Sequence, residues 1–191
     1  MMLMISGVIG IILAVAVLAV VVWLIKVYNS LIQLKVRADG AWADINVQLK
    51  RRYDLIPNLV ATVEGYATHE RSTLEAVTKA RMKAMSAGDI NQKSSTENAL
   101  SGTLKTLFAV AENYPQLKAN ENFLQLQKSL GEIEEALQAS RRYYNAVVRD
   151  FATQLEVFPN NILAQMFHFT KKEFFQLENP ETEQKNPQVK F

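Results

Sequence analysis

The two histidines of this chain, His69 and His168, are the first side chains to consider for metal or acid–base chemistry. A zinc-binding helix of the His-Glu-x-x-His type needs a second histidine four residues after the first, and Thr73 stands there. A di-iron bundle needs a glutamate three residues before each histidine, where this chain has Tyr66 and Gln165. We therefore expect His69 to be a helix-surface or packing residue, and we expect neither a metal nor another cofactor.

The densest charge in the sequence is a basic run beside a tyrosine and an aspartate, made of Lys50, Arg51, Arg52, Tyr53 and Asp54. One hypothesis is that this run binds an anionic lipid headgroup or an acidic partner. A straight helix would carry it about 36 Å beyond Lys26, whereas attraction to headgroups is screened within about 8 Å. We favour ion pairs within the helix or between subunits instead, with carboxylates at Asp44, Asp54, Glu134 and Glu135.

A second cluster places cations beside aromatic rings, at Arg141, Arg142, Tyr143, Tyr144 and Asn145. On a helix Tyr144 would face the apolar side, so packing plus solvated charge accounts for the cluster. The sequence has no Gly-rich phosphate loop, Walker motif or nucleophile elbow. It also has no cysteine for disulfides, thiolate metal sites or nucleophilic catalysis. We therefore predict that the protein is not an enzyme.

The helices that position these residues follow an N-terminal segment without charged side chains. The first charged side chain of the sequence is Lys26. Leu3 to Ile25 would span about 35 Å as a helix, enough to cross a hydrocarbon core of about 30 Å. A cleaved signal peptide would have a basic start and a shorter apolar core, so we favour a retained transmembrane helix over a removed signal. Trp23 and Tyr28 suit the headgroup region.

A transmembrane anchor over residues 1–27 would place the protein in the bacterial cell (inner) membrane as a single-pass protein. The basic residues after the span are Lys26, Lys35 and Arg37. Their charge favours a cytoplasmic over an extracytoplasmic body. Small residues recur at every fourth position of the span, at Ser6, Gly10 and Ala14. This spacing lets membrane helices approach closely and predicts self-association, although small residues are also simply common in such helices.

Beyond the anchor, apolar residues recur every three or four positions, as in amphipathic helices. The first stripe consists of Trp42, Ile45, Leu49, Tyr53, Ile56, Val60 and Val63. Pro57 interrupts it, so the helix either kinks there or restarts with Asp54 as its cap. The pattern then continues to about Met85.

Two further long helices complete the predicted body. Ser94 and Glu97 have capping-box spacing at the start of the second, which should end at Tyr114-Pro115. Asn120 can cap the third, whose apolar stripe extends to Phe158 over about 36 residues, about 54 Å of helix. A stripe this long requires partner helices, as in a coiled coil. No segment alternates like a strand, so the predicted fold is all-α, an N-terminal transmembrane helix followed by an antiparallel bundle of long helices.

The C-terminal part is rich in phenylalanine after a turn at Phe158-Pro159-Asn160-Asn161. We expect it to form a short helix and a hook that pack over one end of the bundle. An exposed apolar patch would instead indicate an interface. The bundle domain is predicted over residues 28–177, and residues 178–191 have the composition of a disordered tail.

These motifs together resemble the LemA family. The run Asp44 to Val60, which contains Arg51-Arg52-Tyr53-Asp54-Leu55-Ile56-Pro57-Asn58, is similar to the family signature. Further similar motifs are Gly65-Tyr66-Ala67, His69-Glu70, Ala80-Arg81, Arg141-Arg142-Tyr143-Tyr144-Asn145 and Phe158-Pro159-Asn160. The resemblance implies a bacterial membrane anchor with a helical-bundle body. It implies no particular biochemical activity.

The predicted function is that of a membrane-anchored scaffold or adaptor, which self-associates and contacts the lipid bilayer and an unidentified protein partner. The alternative is a sensor or signal relay whose bundle changes state, with Pro57 as its hinge. The net charge of +2 argues against nucleic-acid binding. The candidate interaction residues are Arg51, Arg52, Tyr53, Asp54, Pro57, Asn58, Tyr66, Arg141, Tyr144, Phe158, Pro159 and Phe167.

Overall fold

A computed structural model describes the backbone of residues 2–175 and the side chains of residues 7 and 9–175. The helices there are α1 (Met2–Glu64), α2 (Arg71–Ser86), α3 (Ile90–Ala111), α4 (Pro115–Lys118), α5 (Glu121–Glu156) and α6 (Asn160–Met166). Residues 2–175 contain no strand, so the predicted all-α class is confirmed. The predicted tail at 178–191 and the side chain of Ser6 lie outside the described residues.

Helix α1 begins with the apolar segment. By length and composition it is the one helix within residues 2–175 that could cross a membrane, with a mean hydropathy of 2.8 in its most apolar window and none of that window buried. The helix continues without a break through Pro57. Of the two alternatives at this proline, the restart is therefore excluded.

The chain divides into two compact units, and α1 and α5 each contribute to both. One unit comprises Met1–Gly40 and Ala146–Lys172, and the other comprises Ala41–Asn145 and Glu173–Phe191. The core of the first unit is formed by Val27, Leu31, Phe151, Leu155, Leu163 and Ala164. The core of the second includes Ile45, Leu49, Ile56, Val63, Val77, Leu100, Leu107, Leu117 and Leu137.

The stripe that was expected to continue to Met85 belongs to two helices. α1 ends at Glu64 and α2 begins at Arg71, and in the turn between them the N–H of Ala67 donates a 2.8 Å hydrogen bond to the carbonyl of Val63. Ala67 is the one buried residue between Val63 and Leu74. Apolar spacing in two successive helices can match by chance, so periodicity alone did not reveal the turn.

The predicted capping box of α3 is also wrong. The helix begins at Ile90, and the side chain of Asp89 accepts a 2.7 Å hydrogen bond from the backbone N–H of Gln92. Ser94 and Glu97 both lie buried inside the helix. The helix ends at Ala111, earlier than predicted, and Pro115 begins α4, where its missing N–H is not needed.

Helix α5 is close to its prediction. It is 36 residues long, and Asn120 Oδ1 accepts a 3.0 Å hydrogen bond from the N–H of Phe123, as expected of its cap. The helix ends at Glu156, however, so Phe158 lies beyond it with 79% of its surface exposed. The stripe was predicted to include Phe158, and this is wrong because the chain has already left the helix.

Candidate functional site

The most buried charges of the second unit form a network between α1 and α3. Arg52 is 2% exposed and Glu97 is fully buried. Arg52 Nη1 lies 3.1 Å from Glu97 Oε2, and the hydroxyl of Tyr53 donates a hydrogen bond to Glu97 Oε1. Each carboxylate oxygen of Glu97 therefore has its own donor, which is the condition for keeping a charged carboxylate inside a protein.

The second terminal nitrogen of Arg52 extends this network to α5. Arg52 Nη2 donates a 2.7 Å hydrogen bond to Ser101 Oγ and lies 3.3 Å from Glu134 Oε2. Because a guanidinium is planar and has fixed donor directions, it can join several acceptors in one plane. Glu134 was one of the expected carboxylates, but its pairing with Arg52 joins two helices of one chain rather than residues of one helix or of two subunits. The network thus connects α1, α3 and α5.

Tyr53 stays neutral in this setting. Burial of its ring raises the pKa of the phenol well above its ordinary value, and the hydrogen bond to Glu97 raises it further. Lys93 Nζ lies 5.9 Å from the centre of the same ring and donates a 2.8 Å hydrogen bond to the carbonyl of Ala84. The tyrosine is held as a hydrogen-bond donor rather than poised as a base.

The backbone of Tyr53 has a separate partner because of Pro57. A proline has no N–H, so the carbonyl of the residue four positions earlier loses its helical hydrogen bond. That carbonyl belongs to Tyr53, and Arg81 Nε of α2 donates a 2.8 Å hydrogen bond to it. Arg81 therefore satisfies the acceptor that Pro57 leaves open, which ties α2 to the middle of α1.

A groove of about 590 Å³ lies between α3 and α5, and Arg52 of α1 is among the residues that line it. Its lining carries four cationic side chains, Arg52, Lys105, Arg141 and Arg142, and one carboxylate, Glu134. Apolar surface comes from Leu104, Phe108 and Leu130, and amides from Asn98, Gln127 and Gln138. A Cβ added at Gly131, which also lines the groove, would meet nothing within 4 Å, so this glycine leaves open space.

Past the groove, the chain after α6 is held against α5 by Tyr144 and Asn145. The hydroxyl of Tyr144 donates a 2.9 Å hydrogen bond to the carbonyl of Glu173. Asn145 donates to the carbonyl of Phe175 and accepts from its N–H, both at 2.9 Å. The buried ring of Phe175 lies 4.5 Å below the guanidinium of Arg141 and 5.8 Å from the ring of Trp42.

The other predicted interaction residues lie apart from this network. Arg51, Asp54 and Asn58 are exposed, and Asp54 Oδ2 pairs with Lys50 Nζ at 2.8 Å. The hydroxyl of Tyr66 accepts a 2.9 Å hydrogen bond from Asn120. Phe158, Pro159 and Phe167 belong to the first unit. In the predicted transmembrane face, Gly10 and Ala14 are exposed.

The histidines have structural surroundings rather than metal-site geometry. His69 is exposed in the turn after α1. His168 has a φ of 54°, and the hydrogen bonds around it, from Phe169 N to Ala164 O and from His168 N to Gln165 O, form the Schellman ending of α6. The described part of the chain contains no group of three or more side chains that could hold a metal ion.

Sequence reasoning missed Glu97 and Ser101 as parts of the network, and Arg81 as the donor to the Tyr53 carbonyl. Glu97 and Ser101 are one helical turn apart and occur among apolar residues of α3, at Leu100 and Leu104. A carboxylate within an apolar stripe was the available signal, because such a residue requires a buried partner. The capping-box interpretation had already assigned Glu97 another role.

These observations define a class of protein, a membrane-associated all-α protein with a buried charge network between its helices. The chain belongs to the LemA family, whose profile matches residues 41–191, so the resemblance seen in the sequence is confirmed.

Individual relatives are distant in sequence. Protein LemA of Metamycoplasma hominis is 28% identical, over 78% of this chain and 68% of that protein. The magnetosome protein MamQ 1 of Paramagnetospirillum magneticum is 24% identical, over 84% and 69%. The magnetosome protein MamQ of Magnetospirillum gryphiswaldense is 22% identical, over 88% and 73%. None of these names is that of an enzyme.

Proposed function

We propose that this protein is a single-pass scaffold of the bacterial inner membrane that binds an acidic segment of a partner protein. Helix α1 holds the chain in the bilayer, with the body in the cytoplasm. The partner segment lies in the groove between α3 and α5. The observation that carries this proposal is the charge of the groove lining, which has four cationic side chains against one carboxylate.

The excess of positive charge does not depend on the buried arginines. Arg52 is already balanced by Glu97 and Glu134. Lys105 and Arg142 are exposed on the groove lining, where they are available to an anionic ligand. Charges in such positions steer a partner and select its sign more than they add to affinity, which suits a site that recognises acidic segments.

The shape of the groove supports a peptide segment rather than a small anion. Its lining combines apolar side chains with amides, and Gly131 leaves room for a ligand backbone. Amides can pair with backbone groups of an extended chain, while Leu104, Phe108 and Leu130 contact apolar side chains between its carboxylates. A combination of apolar surface and a few placed polar groups is typical of ligand sites.

Binding of defined peptides to the full chain tests this proposal. We would reconstitute the protein in nanodiscs of zwitterionic lipid and measure fluorescence anisotropy of a Glu/Asp-rich peptide and a Lys-rich peptide of equal length. The acidic peptide should bind, and Lys105→Glu with Arg142→Glu should weaken its binding by about tenfold or more. The matched control, Lys83→Glu with Lys118→Glu, reverses two exposed charges outside the groove and should leave affinity unchanged.

Two results would contradict the groove as the binding site. One is that the acidic peptide does not bind. The other is that both charge-reversed pairs weaken binding equally, because the attraction would then come from the whole protein surface. If the groove is confirmed, a photo-crosslinker at Gln138, on the groove lining, identifies the natural partner in cells, with the Lys105/Arg142 variant as the negative control.

Self-association is the second part of the proposal. Gly10 and Ala14 are exposed, and a Cβ added at Gly10 would meet nothing within 4 Å, which supports close approach of a second α1. The mass of the protein in nanodiscs should exceed that of one chain, and Gly10→Leu with Ala14→Leu should lower it. A monomeric mass for the unaltered protein would refute self-association without affecting the peptide test.

The sensor alternative stays a prediction. It requires a second conformation at Pro57, whereas α1 is continuous there and Arg81 is bonded to the carbonyl that the proline leaves open. A spin-label distance across Pro57 that changes when the acidic peptide binds would favour the sensor over the scaffold.

A further inference from the structure

The outward face of α6 is apolar although it is exposed. Four large side chains on and beside this helix share the property, and we refer to them as the α6 face: Phe158 (79% exposed), Ile162 (57%), Met166 (63%) and Phe167 (49%). Ile162 and Met166 are four positions apart on α6, so they align along one side of it. Neighbouring apolar side chains exposed together on a short element indicate a surface that is covered in the functional state.

The inward face of α6 fixes its position along α1. Leu163 and Ala164 are buried in a core with Val27 and Leu31 of α1, and Trp23 and Leu24 pack against the same core. The first charged side chain of the sequence, Lys26, lies within this stretch of α1. Helix α6 therefore lies beside the end of the apolar segment, where that segment meets its first charge.

An aromatic ring on the same stretch of α1 packs against aromatic rings at the end of α6. The ring of Tyr28 lies 4.8 Å from that of Phe167 and 6.0 Å from that of Phe169. Tyr and Trp side chains are enriched where a bilayer's hydrocarbon meets its headgroups, since one end of each ring is polar. Two lysines that follow α6 have carboxylate partners, with Lys171 paired to Glu156 and Lys172 Nζ 2.6 Å from Asp39 Oδ1.

We propose that the α6 face is inserted in the headgroup–acyl boundary of the same bilayer that α1 crosses. This inference rests on the proposed anchoring by α1. The bilayer is the occupant favoured over another protein because the exposed apolar surface of the span continues through Val22 and Ile25 to the turns that hold α6. An interfacial helix of this kind buries its apolar side at the level of the headgroups.

The second contact has a mechanical consequence. A single transmembrane helix is free to tilt in any direction in the bilayer. An interfacial helix packed on one side of that helix restricts this freedom, because tilting α1 away from that side would lift the α6 face out of the lipid. The two contacts together then determine the direction in which α1 tilts.

Site-specific probes on the full chain test this inference, and the absence of native cysteines makes the labelling specific. We would place single cysteines at Ile162 and Met166, label them with a polarity-sensitive fluorophore, and reconstitute the protein in nanodiscs with or without lipids that carry a nitroxide near the headgroup. Val15→Cys reports on the span, and Glu132→Cys, on the exposed surface of α5, is the aqueous control.

The expected result is a blue-shifted emission at positions 162 and 166, with quenching by the nitroxide lipid at least about twofold stronger than at position 132. If the label at 15 is blue-shifted and protected from aqueous iodide while those at 162 and 166 respond only to iodide, the α6 face is not in the lipid and this inference is wrong. If the label at 15 is open to iodide as well, the anchoring by α1 fails, and the proposed function with it.

A second copy of the chain is the competing occupant. Reconstitution at one chain per nanodisc separates the two cases, because protection by lipid does not depend on the number of chains in a disc, whereas protection by a second copy does. Protection from iodide that persists while the nitroxide lipid fails to quench would place another protein copy on the α6 face and overturn the inference.

Discussion

Arg81 donates a 2.8 Å hydrogen bond from Nε to the backbone carbonyl of Tyr53, the acceptor that Pro57 leaves without a helical partner. Two residues of the family motif are thus explained by one contact. The proline creates an open carbonyl in the middle of a long helix, and a cation from another helix satisfies it. Helix α1 continues through the proline with this contact in place.

We first predict that the contribution of Arg81 depends on Pro57. Arg81→Met should lower the free energy of unfolding by about 1.5–3 kcal/mol, the range for hydrogen bonds to charged groups. In the background of Pro57→Ala the same substitution should cost clearly less, because the restored N–H of residue 57 bonds the Tyr53 carbonyl. Urea unfolding of the detergent-solubilised chain, followed by circular dichroism, measures all four variants. Equal costs in both backgrounds would contradict the pairing.

The second prediction concerns the buried partner of Arg52. Glu97→Gln keeps the shape of the side chain but removes its charge, which leaves Arg52 with Glu134 as its remaining carboxylate. We expect a loss of about 3 kcal/mol in the free energy of unfolding. The control is Asp54→Asn in the exposed pair with Lys50, where the loss should stay below about 1 kcal/mol. Losses of similar size at both sites would show that the network is not stabilising in the way described.

The third prediction is a dependence of stability on alkaline pH. The pKa of Tyr53 is raised in the folded protein by burial and by Glu97. Above the ordinary pKa of about 10, the unfolded chain loses this proton while the folded chain keeps it, so stability falls as the pH rises. Between pH 9 and 11 Tyr53 should account for a loss of about 1.4 kcal/mol.

Comparison of two tyrosine variants isolates this effect. Tyr53→Phe should lack the alkaline loss due to that residue, although it is less stable at neutral pH because Glu97 loses a donor. Tyr143→Phe, at a half-exposed ring, should retain the loss seen in the unaltered protein. Parallel pH curves for all three proteins would show that Tyr53 ionises equally well in the folded state.

The fourth prediction concerns the end of α6. His168 adopts a φ of 54°, a left-handed conformation that costs a side chain with a Cβ about 1 kcal/mol and costs glycine little. His168→Gly should therefore keep or slightly raise stability, by up to about 1 kcal/mol. His168→Val should lower it, because a β-branched residue tolerates this conformation worst. Thermal unfolding of both variants checks the ranking, and a glycine variant less stable than the valine variant would refute the assignment.

Local sequence information was sufficient for the helices themselves. The uncharged N-terminal segment, the stripe along α1 and the cap at Asn120 each depend on neighbours within one or two helical turns, so spacing and residue type predicted them. The same reasoning went wrong at Gly65, where two helices with matching stripes were read as one, and at Ser94 and Glu97, where a capping pattern occurred by chance inside a helix.

The candidate site was decided by contacts between segments far apart in sequence. Glu97 is 45 residues from Arg52 in the sequence. The spacing of apolar residues does not predict which carboxylate pairs with a buried arginine. The open carbonyl at Tyr53 was implied by Pro57, but its donor, Arg81, was set by the packing of α2 against α1. The sequence determines helices and their caps because each residue constrains the backbone of its near neighbours. Which buried charges pair was decided by the tertiary structure, because it depends on which helices pack together and how much water they exclude.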